Sequence, residues 1–370
     1  LILQAPNKSC DLDPLPTTLL KLCIDVLITP ITSLVNMSLI NEDMPISLKT
    51  AYVSPLLKKP SLSKEEMKNY RPVSNLSFIS KIIEKVVASR LQAHLSLSKT
   101  SNPYQSAYKK LHSTETALLK IHNDITEAMD KGKVTALTLL DLSAAFDTID
   151  HDILFRRLET WFGISGRALG WITSYLRNRY QRVKVNDTLS PSVHIPFGVP
   201  QGSVLGPLLF TMYTTPLSTV INKHSIDHHL YADDSQLYVS FSSGDSSDSL
   251  TALQLCVCTV KDWMLANKLK LNPDKTEFLL IGHRQQREKY QSLFPIRLLD
   301  IETSPADSAR NLGVIFDRDF KFRSHVSQVC RACFYHMRDI HRIRRYLCLD
   351  NAETLAHVFV TSRMDYCNSL

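Results

Sequence analysis

The sequence of 370 residues lacks the patterns that mark membrane-spanning chains, secreted chains and disulfide-rich mini-proteins. Its longest apolar stretches, such as Val134–Leu140, are far shorter than the roughly 18 residues that a membrane span needs. No charged segment precedes an apolar one near the start, so no secretory signal is predicted. The eight cysteines are scattered, and their spacing predicts no disulfide framework in a chain of this length.

The chain also lacks internal repeats, a glycine-rich linker and the G-x-x-x-x-G-K-[ST] motif, which excludes a Walker-type NTPase. Hydrophobic residues make up 44% and charged residues 21%, a globular composition with enough apolar mass for two or three cores. The sequence opens on Leu1 rather than Met and closes inside a patterned segment at 361–370. We therefore expect a piece of a longer polypeptide.

Positive charge is concentrated near the end of the chain. The net charge is +7, and residues 321–347 contain a single acid, Asp339, beside seven basic residues. These are Lys321, Arg323, Arg331, Arg338, Arg342, Arg344 and Arg345. Such a local field favours a polyanionic partner, and the alternative interpretation is a solvated helix face.

A second alternative in the same region concerns zinc. Cys330 and Cys333 are followed by His336 and His341, but a zinc site needs four ligands that converge tetrahedrally. Cys333 also fits an apolar helical stripe as a small core residue. The stripe consists of Val326, Val329, Cys333, Met337, Ile340, Ile343 and Leu347.

Hydrophobic periodicity predicts strands that alternate with helices, which favours an α/β or α+β sheet over a helix bundle. In the first part of the chain we predict helices within 1–50 interrupted at Pro14, Pro16, Pro30 and Pro45, a strand over 51–60, and helices over 79–95 and 114–130, the second with Gly132 as C-cap. The middle is predicted to contain a strand over Val134–Leu140, a helix from Asp150, a strand-to-helix passage over 197–210, and two strands over 228–241 joined at Asp233-Asp234. A flexible loop over 242–249, a helix over 253–264, a β-rich stretch to about 322 and the basic helix complete the prediction.

Three acids lie at strand ends or turns: Asp141, Asp233 and Asp234. A carboxylate at the end of an apolar strand is costly unless it is paired or bound to a cation, and adjacent carboxylates repel each other. Divalent cations such as Mg²⁺ relieve both costs, and two such ions support in-line phosphoryl transfer. The alternative for the adjacent pair is an exposed hairpin turn. Phosphates would then be bound by separate basic side chains, for which Lys58, Lys59, Arg71 and Lys275 are candidates.

The segments 139–147 (LLDLSAAFD), 198–207 (GVPQGSVLGP) and 231–234 (YADD) resemble, in order and spacing, the central motifs of reverse transcriptases of non-LTR (LINE-type, jockey-like) retrotransposons. The segments 69–74 (NYRPVS) and 271–279 (LNPDKTEFL) fit the same family, and 311–316 (NLGVIF) resembles its primer-gripping region. The resemblance covers nearly the whole chain.

The resemblance implies roles for the acids. Asp141 and Asp233 resemble the carboxylates that hold two Mg²⁺ ions, with Mn²⁺ as a substitute and the Leu142 carbonyl as a further oxygen ligand. Asp234 resembles the supporting second acid, and its alternative role is to fix the hairpin turn. Phe146 resembles the steric gate beneath the incoming sugar, where a ring would clash with a ribose 2′-OH; it could instead be a core aromatic.

The resemblance also implies substrate-binding residues. Gln201 and Gly202 resemble the motif beside the nascent base pair and template, and they also fit a turn into a helix capped by Ser203 with Pro207 in its first turn. Lys58 and Arg71 resemble the residues that clamp the triphosphate, or are surface cations. Lys275 resembles the lysine near the leaving pyrophosphate, or is a solvated loop lysine.

The implied fold is α+β, a right-hand polymerase with a palm sheet, fingers and a partial helical thumb. We expect a helical extension over 1–49, fingers and palm over 50–322, and a basic, truncated thumb over 323–370. The implied activity is RNA-directed DNA polymerisation, in which dNTPs are added to a DNA primer on an RNA template. The alternative is a decayed or co-opted element that binds RNA without polymerising. The resemblance implies a nuclear location, no membrane partner is expected, and the oligomeric state stays open.

Overall fold

The computed structural model describes residues 1–8, 10–143 and 145–370, and these residues form two units. The first unit contains 1–102, most of 144–216, and 266–269; the second contains 103–143, 217–265 and 270–370. Ala144, inside the first sequence motif, lies outside the described residues. No helix in the described ranges is long and apolar enough to cross a membrane.

The first unit combines helices with a mixed sheet. Its strands follow the order β2–β1–β5–β6, and β7 pairs with β5. β1 runs antiparallel to β2 and parallel to β5. The helices are α1 (Thr17–Leu22), α2 (Ile24–Ile40), α3 (Phe78–Ser98), α5 (His151–Phe162), α6 (Gly166–Leu176) and α7 (Gly206–Thr214), and the strands are β1 (Thr50–Leu57), β2 (Tyr70–Asn75), β5 (Arg179–Val185), β6 (Thr188–Leu189) and β7 (Val193–Ile195).

The second unit is built on a four-stranded antiparallel sheet in the order β11–β3–β9–β8. Its helices are α4 (Thr114–Asp130), α8 (Leu217–Asn222), α9 (Ser246–Ala266), α10 (Arg284–Arg287), α11 (Arg323–Ile343), α12 (Leu349–Ala356) and α13 (Ser362–Asp365), and its strands are β3 (Val134–Leu140), β4 (Leu142–Ser143), β8 (Asp227–Tyr231), β9 (Asp234–Phe241), β10 (Lys270–Leu271), β11 (Glu277–Ile281), β12 (Ile296–Leu298), β13 (Ile301–Thr303), β14 (Ser308–Asn311) and β15 (Val314–Asp317).

Strand β3 is one of the two inner strands of this sheet, and all seven of its residues, five of them apolar and two threonine, are buried. Apolar residues of α4, including Ile121 and Ile125, pack against Leu137 and Leu139 of β3 in one hydrophobic cluster. The bounds of β3 and α4 agree with the sequence prediction. Burial of this strand at both its faces places its end, at Asp141, on a rigid support.

Two helix boundaries differ from the prediction for identifiable reasons. Helix α2 continues through Pro30, where a break was predicted. Proline removes the hydrogen bond to the carbonyl four residues earlier, but Val26 is 76% exposed, so water can satisfy that carbonyl. The predicted flexible loop over 242–249 is also wrong, because α9 begins at Ser246. The carboxylate of Asp245 accepts hydrogen bonds from Ser242 N (2.7 Å) and Ser242 Oγ (2.8 Å), which orders the turn.

The basic helix α11 is present, but only one of the seven residues of its apolar stripe is buried. Cys333 is buried, whereas Val326 is 56%, Met337 is 42% and Ile343 is 45% exposed. The interpretation of Cys333 as a core residue is confirmed. Cys330 is exposed, and within residues 1–8, 10–143 and 145–370 no group of three or more His, Cys, Asp or Glu side chains could hold a metal ion.

Candidate active site

The register of the central sheet brings two of the three predicted acids face to face. Strands β3 and β9 are antiparallel, and Leu140 pairs with Ser235. The next residues outward are Asp141, which directly follows β3, and Asp234, which begins β9. Because paired residues point to the same face of a sheet, both carboxyl groups lie on one face, at the end of β3 and the start of β9.

The third acid, Asp233, lies in the tight turn between β8 and β9. Tyr231 pairs with Asp234, so Ala232 and Asp233 alone form the turn. The sequence prediction placed the junction at Asp233-Asp234, one residue too far along. Ala232 has a φ of 55°, a conformation that L-residues other than glycine rarely adopt. The turn is therefore a two-residue hairpin turn with a positive φ at its first position, where glycine is preferred.

The pKa of Asp234 reflects both its burial and the two neighbouring carboxylates. The pKa of Asp234 is raised to about 6, first by burial and then by the negative charges of Asp233 and Asp141. The nearby ammonium of Lys275 acts in the opposite direction. An acid with such a raised pKa, placed beside two other acids, favours the binding of cationic groups.

Lys275 supplies one such group directly. Its Nζ lies 2.7 Å from Asp141 Oδ2, and the Lys275 side chain is 62% exposed whereas that of Asp141 is 22% exposed. The short β10–β4 pairing, in which Leu271 lies opposite Leu142, brings this segment to the site, and Asn272 N donates to Asp141 O at 2.9 Å. The predicted phosphate-binding lysine thus contacts a predicted metal-binding carboxylate.

The oxygen atoms of these acids fit a hard divalent cation whose coordination is completed by the substrate. Asp141, Asp233 and Asp234 offer only oxygen atoms, which Mg²⁺ and Mn²⁺ prefer. Mg²⁺ is commonly held by one or two carboxylates together with substrate phosphates rather than by a closed protein cage. Within the described part of the chain, no three His, Cys, Asp or Glu side chains form a group that could hold a metal ion by themselves. A site in which substrate phosphates complete the coordination agrees with this finding and with the charge interaction among the three acids.

The remaining predicted residues belong to the first unit. Phe146 is half-buried, and its ring packs against Phe210 with a centroid distance of 4.8 Å. The contact leaves part of the ring accessible. Both predicted interpretations, a gate and a core aromatic, are compatible with this position.

Gln201 and Gly202 are held by backbone and side-chain contacts within the first unit. Gln201 Nε2 donates to Asp147 Oδ2 at 2.8 Å, and Ser74 N donates to Gln201 O at 2.7 Å. Gly202 has a φ of 111°, and a Cβ there would lie 2.7 Å from Ser74 O. Glycine is thus required at 202 by conformation and by close approach.

A buried carboxylate lies beneath this segment. Glu84 is fully buried and accepts hydrogen bonds from Val204 N (2.7 Å) and Leu205 N (3.2 Å), just before α7. Ser203 Oγ accepts from Gly206 N, the first residue of α7, at 3.0 Å, but the N-cap position is Leu205 and not the predicted Ser203. Pro207 lies in the first turn, as predicted. Burial raises the pKa of Glu84, and the two backbone donors act against that shift.

Lys58 and Arg71 lie at the end of the β1–β2 hairpin where the connecting segment joins the two strands. Leu56 pairs with Arg71, and Lys58 N continues the pairing by donating to Asn69 O at 2.8 Å. Positions 58 and 71 are thus diagonal neighbours on one hairpin face. Both side chains are exposed, and Lys58 Nζ donates to Lys68 O at 2.6 Å.

Sequence reasoning missed three residues that contact the motifs: Glu84, Gln105 and Asp147. Glu84 carried a signal, since it is an acid inside an otherwise apolar helical stripe. Asp147 was visible only as part of a motif. Gln105, which contacts Ala232, lies in a polar segment between helices and carried no signal.

The chain is similar to known polymerases in sequence. The family described as "Reverse transcriptase (RNA-dependent DNA polymerase)" matches residues 57–316. The "Probable RNA-directed DNA polymerase from transposon BS" of Drosophila melanogaster is 29% identical over 293 residues, covering 77% of this chain and 31% of that protein. The "RNA-directed DNA polymerase from mobile element jockey" of Drosophila funebris is 24% identical over 369 residues, covering 98% and 39%. The chain spans about a third of the length of these relatives.

The fold is similar to that of a solved polymerase structure. Apo telomerase from Candida tropicalis, truncated from its C-terminal domain, matches with a TM-score of 0.52 and 10% identity, over 74% of this chain and 54% of that chain. At this identity the likeness concerns the fold alone. The α+β right-hand polymerase fold predicted from the sequence is confirmed.

Proposed function

The chain belongs to the reverse transcriptase family, with relatives in non-LTR retrotransposons, and from this premise we propose that it is their RNA-directed DNA polymerase. It would extend a DNA primer with dNTPs on an RNA template. The observation that carries the proposal is the position of Asp141 at the end of β3, opposite Asp234 at the start of β9 and near Asp233 of the β8–β9 turn. Burial, and then the charges of Asp233 and Asp141, raise the pKa of Asp234 to about 6. The division into extension, fingers with palm, and thumb, and the nuclear location, are part of this proposal.

In the proposed reaction the primer 3′-oxygen attacks the α-phosphorus of the dNTP. The new bond joins the 3′-oxygen to that phosphorus, the bond from the phosphorus to the β-phosphate oxygen breaks, and pyrophosphate leaves while the 3′-OH loses its proton. Reverse transcriptases use divalent metal ions, and two Mg²⁺ ions, or Mn²⁺, bound by Asp141, Asp233 and the Leu142 carbonyl would supply charge stabilisation at the attacking and leaving oxygens.

The chain's own groups bind and orient around that chemistry. Asp234 would add negative charge beside the two ligands, and Lys275 would transfer its contact from Asp141 to the leaving pyrophosphate. Its Nζ is 2.7 Å from Asp141 Oδ2 and its side chain is mostly exposed, which supports this role. Lys58 and Arg71 would bind the triphosphate, since exposed cations on one hairpin face suit several phosphate oxygens. Gln201 and Gly202 would lie against the template base pair.

The basic helix α11 would follow the backbone of the primer–template duplex. Arg331, Arg338 and Arg342 are exposed on it. Contacts of this kind are electrostatic and carry no sequence information, so binding should weaken steeply with salt.

The test is primer extension on an RNA template with Asp233→Asn. We expect extension to fall by roughly 10³-fold or more, because a carboxylate that holds a metal supplies several kcal/mol of transition-state stabilisation. RNA binding should change less than about twofold, since it depends on phosphate contacts elsewhere. Asp227→Asn, an exposed acid at the far end of β8, is the matched control and should extend normally.

Two results would contradict the proposal. Extension by Asp233→Asn at the wild-type rate would remove Asp233 from the site. Retention on RNA with a steep salt dependence, but without any Mg²⁺- or Mn²⁺-dependent extension by the wild-type chain, would support the alternative of an element that binds RNA without polymerising.

A further inference from the structure

The turn that carries Asp233 has a conformational cost that its own hairpin does not offset. Ala232 has a φ of 55°, and the left-handed region costs an L-residue roughly 1–2 kcal/mol. The hairpin pairs Tyr231 with Asp234, so the backbone N–H and C=O of Ala232 lie outside its ladder. Strained turns of this kind persist only where the surroundings hold them.

A single buried side chain bonds both of these backbone groups. Gln105 Oε1 accepts from Ala232 N at 3.0 Å, and Gln105 Nε2 donates to Ala232 O at 3.4 Å. The primary amide therefore exchanges two hydrogen bonds with Ala232, as a paired residue of a neighbouring strand would. The Ala232 carbonyl belongs to the peptide that leads into Asp233, so the second bond bears directly on the orientation of Asp233.

Gln105 is itself fixed in place. It is 6% exposed, and its Oε1 also accepts from Ala107 N at 2.9 Å. Its backbone forms a parallel bridge with Leu230, in which Leu230 N donates to Tyr104 O (2.8 Å) and Ser106 N donates to Leu230 O (3.0 Å). Ser106 Oγ also bonds His229 Nε2 at 2.9 Å. The segment 104–107 thus pairs with the end of β8 in the manner of a short additional strand, and it ends beside the turn.

We propose that Gln105 is a positioning residue: its amide holds Ala232 in the left-handed conformation and thereby fixes Asp233 for catalysis. The catalytic consequence of this role rests on the proposed function, whereas the contact between Gln105 and Ala232 does not depend on it. An amide suits this position because it donates and accepts at once without adding charge beside Asp141, Asp233 and Asp234.

The first test is hydrogen exchange of the peptide that contains Ala232, in Gln105→Ala and in the shorter Gln105→Asn. We expect exchange of the turn amides to accelerate at least tenfold in both. Ser106→Ala is the matched control, because it removes a side-chain bond of the same segment to β8 and leaves the contacts of Gln105 to Ala232 in place. Unchanged exchange in Gln105→Ala would overturn the proposal.

The second test separates positioning from a general loss of folding. At temperatures where every variant is folded, Gln105→Ala should lower kcat for nucleotide addition by about 10- to 100-fold, since small misplacements of reacting groups have effects of that size. KM for dNTP should stay within about threefold. Adding Ala232→Gly to Gln105→Ala should restore part of kcat, because glycine adopts a positive φ without strain. A double variant no faster than Gln105→Ala, or a full kcat in Gln105→Ala, would contradict the proposal.

The two tests also separate this proposal from the assignment of function. A wild-type chain that adds no nucleotides would overturn the polymerase function, while hydrogen exchange would still decide whether Gln105 holds the turn.

Discussion

The β8–β9 turn of the second unit and the 198–205 segment of the first are both short motifs, and each is held by side chains of a different kind that are distant in sequence. The turn is held by the neutral amide of Gln105. The 198–205 segment is held by two carboxylates: Glu84 accepts from Val204 N and Leu205 N, and Asp147 accepts from Gln201 Nε2.

The difference follows from what each motif presents to its support. The 198–205 segment leads into helix α7, whose first N–H groups need acceptors and whose dipole favours a negative charge, so a carboxylate suits it. The β8–β9 turn presents one donor and one acceptor beside three acids. A further carboxylate there would add to the repulsion that, after burial, raises the pKa of Asp234. Carboxylates thus accept from N–H groups of the 198–205 segment, whereas a neutral amide supports the turn, where negative charge is already in excess.

The largest expected effect concerns Glu84. Glu84→Ala should lower the free energy of unfolding by about 3–5 kcal/mol, because it leaves the N–H groups of half-buried Val204 and buried Leu205 without their acceptor and opens a cavity. Glu84→Gln keeps one acceptor oxygen and should lose only about 1–2 kcal/mol. Urea unfolding measures both. If Glu84→Ala cost less than Gln105→Ala, the contrast between a charged and a neutral support would be wrong.

A smaller expected effect would show whether Phe146 selects the sugar of the nucleotide or only packs in the core of the first unit. Phe146→Ala should raise ribonucleotide use relative to deoxynucleotide use by about 10- to 100-fold, if the exposed part of the ring meets the sugar. Competitive incorporation of rNTP and dNTP measures the ratio. Phe210→Leu is the control, because it weakens the same ring contact without removing Phe146. An equal, unshifted ratio in both variants would return Phe146 to the core.

The sequence was informative where a residue's role is local. Strand β3 could be predicted from a short, largely apolar run, and Asp141 from the abrupt change at its end. The resemblance in motif order then identified Asp233, Asp234 and Lys275. The contact between Lys275 and Asp141, however, depends on the β10–β4 pairing, which joins segments about 130 residues apart in sequence.

Other features could not be predicted because they depend on partners far along the chain. Gln105 is an ordinary polar residue until the fold brings it to Ala232, 127 residues away. The apolar spacing of α11 predicted a buried stripe, yet Val326 and Met337 are exposed, since periodicity shows which face is apolar and not what covers it. Pro30 was misjudged because the cost of a proline depends on whether water reaches the freed carbonyl.

The smallest expected effect tests the excess of charge at the β8–β9 turn. The pKa of Asp234 is about 6 in the folded chain and near 3.8 in the unfolded chain, so folding favours its protonated form. Its charge therefore destabilises the fold above pH 6, and this cost disappears below about pH 4. Asp234→Asn should stabilise the chain by about 1–2 kcal/mol at pH 7.5 and by almost nothing at pH 4, after screening by solvent.

Urea unfolding in EDTA across this pH range measures the difference between Asp234→Asn and wild type. The difference is the diagnostic quantity, because burial lowers the pKa of both His228 and His229 to about 4, and their protonation destabilises wild type and variant alike as pH falls from 6.5 to 4. Glu65→Gln, which removes an exposed acid, should shift stability at neither pH. If Asp234→Asn were no more stable than wild type at pH 7.5, the negative charge of Asp234 would carry no cost at its buried position beside Asp233 and Asp141, and the reason given for a neutral support at Gln105 would fail.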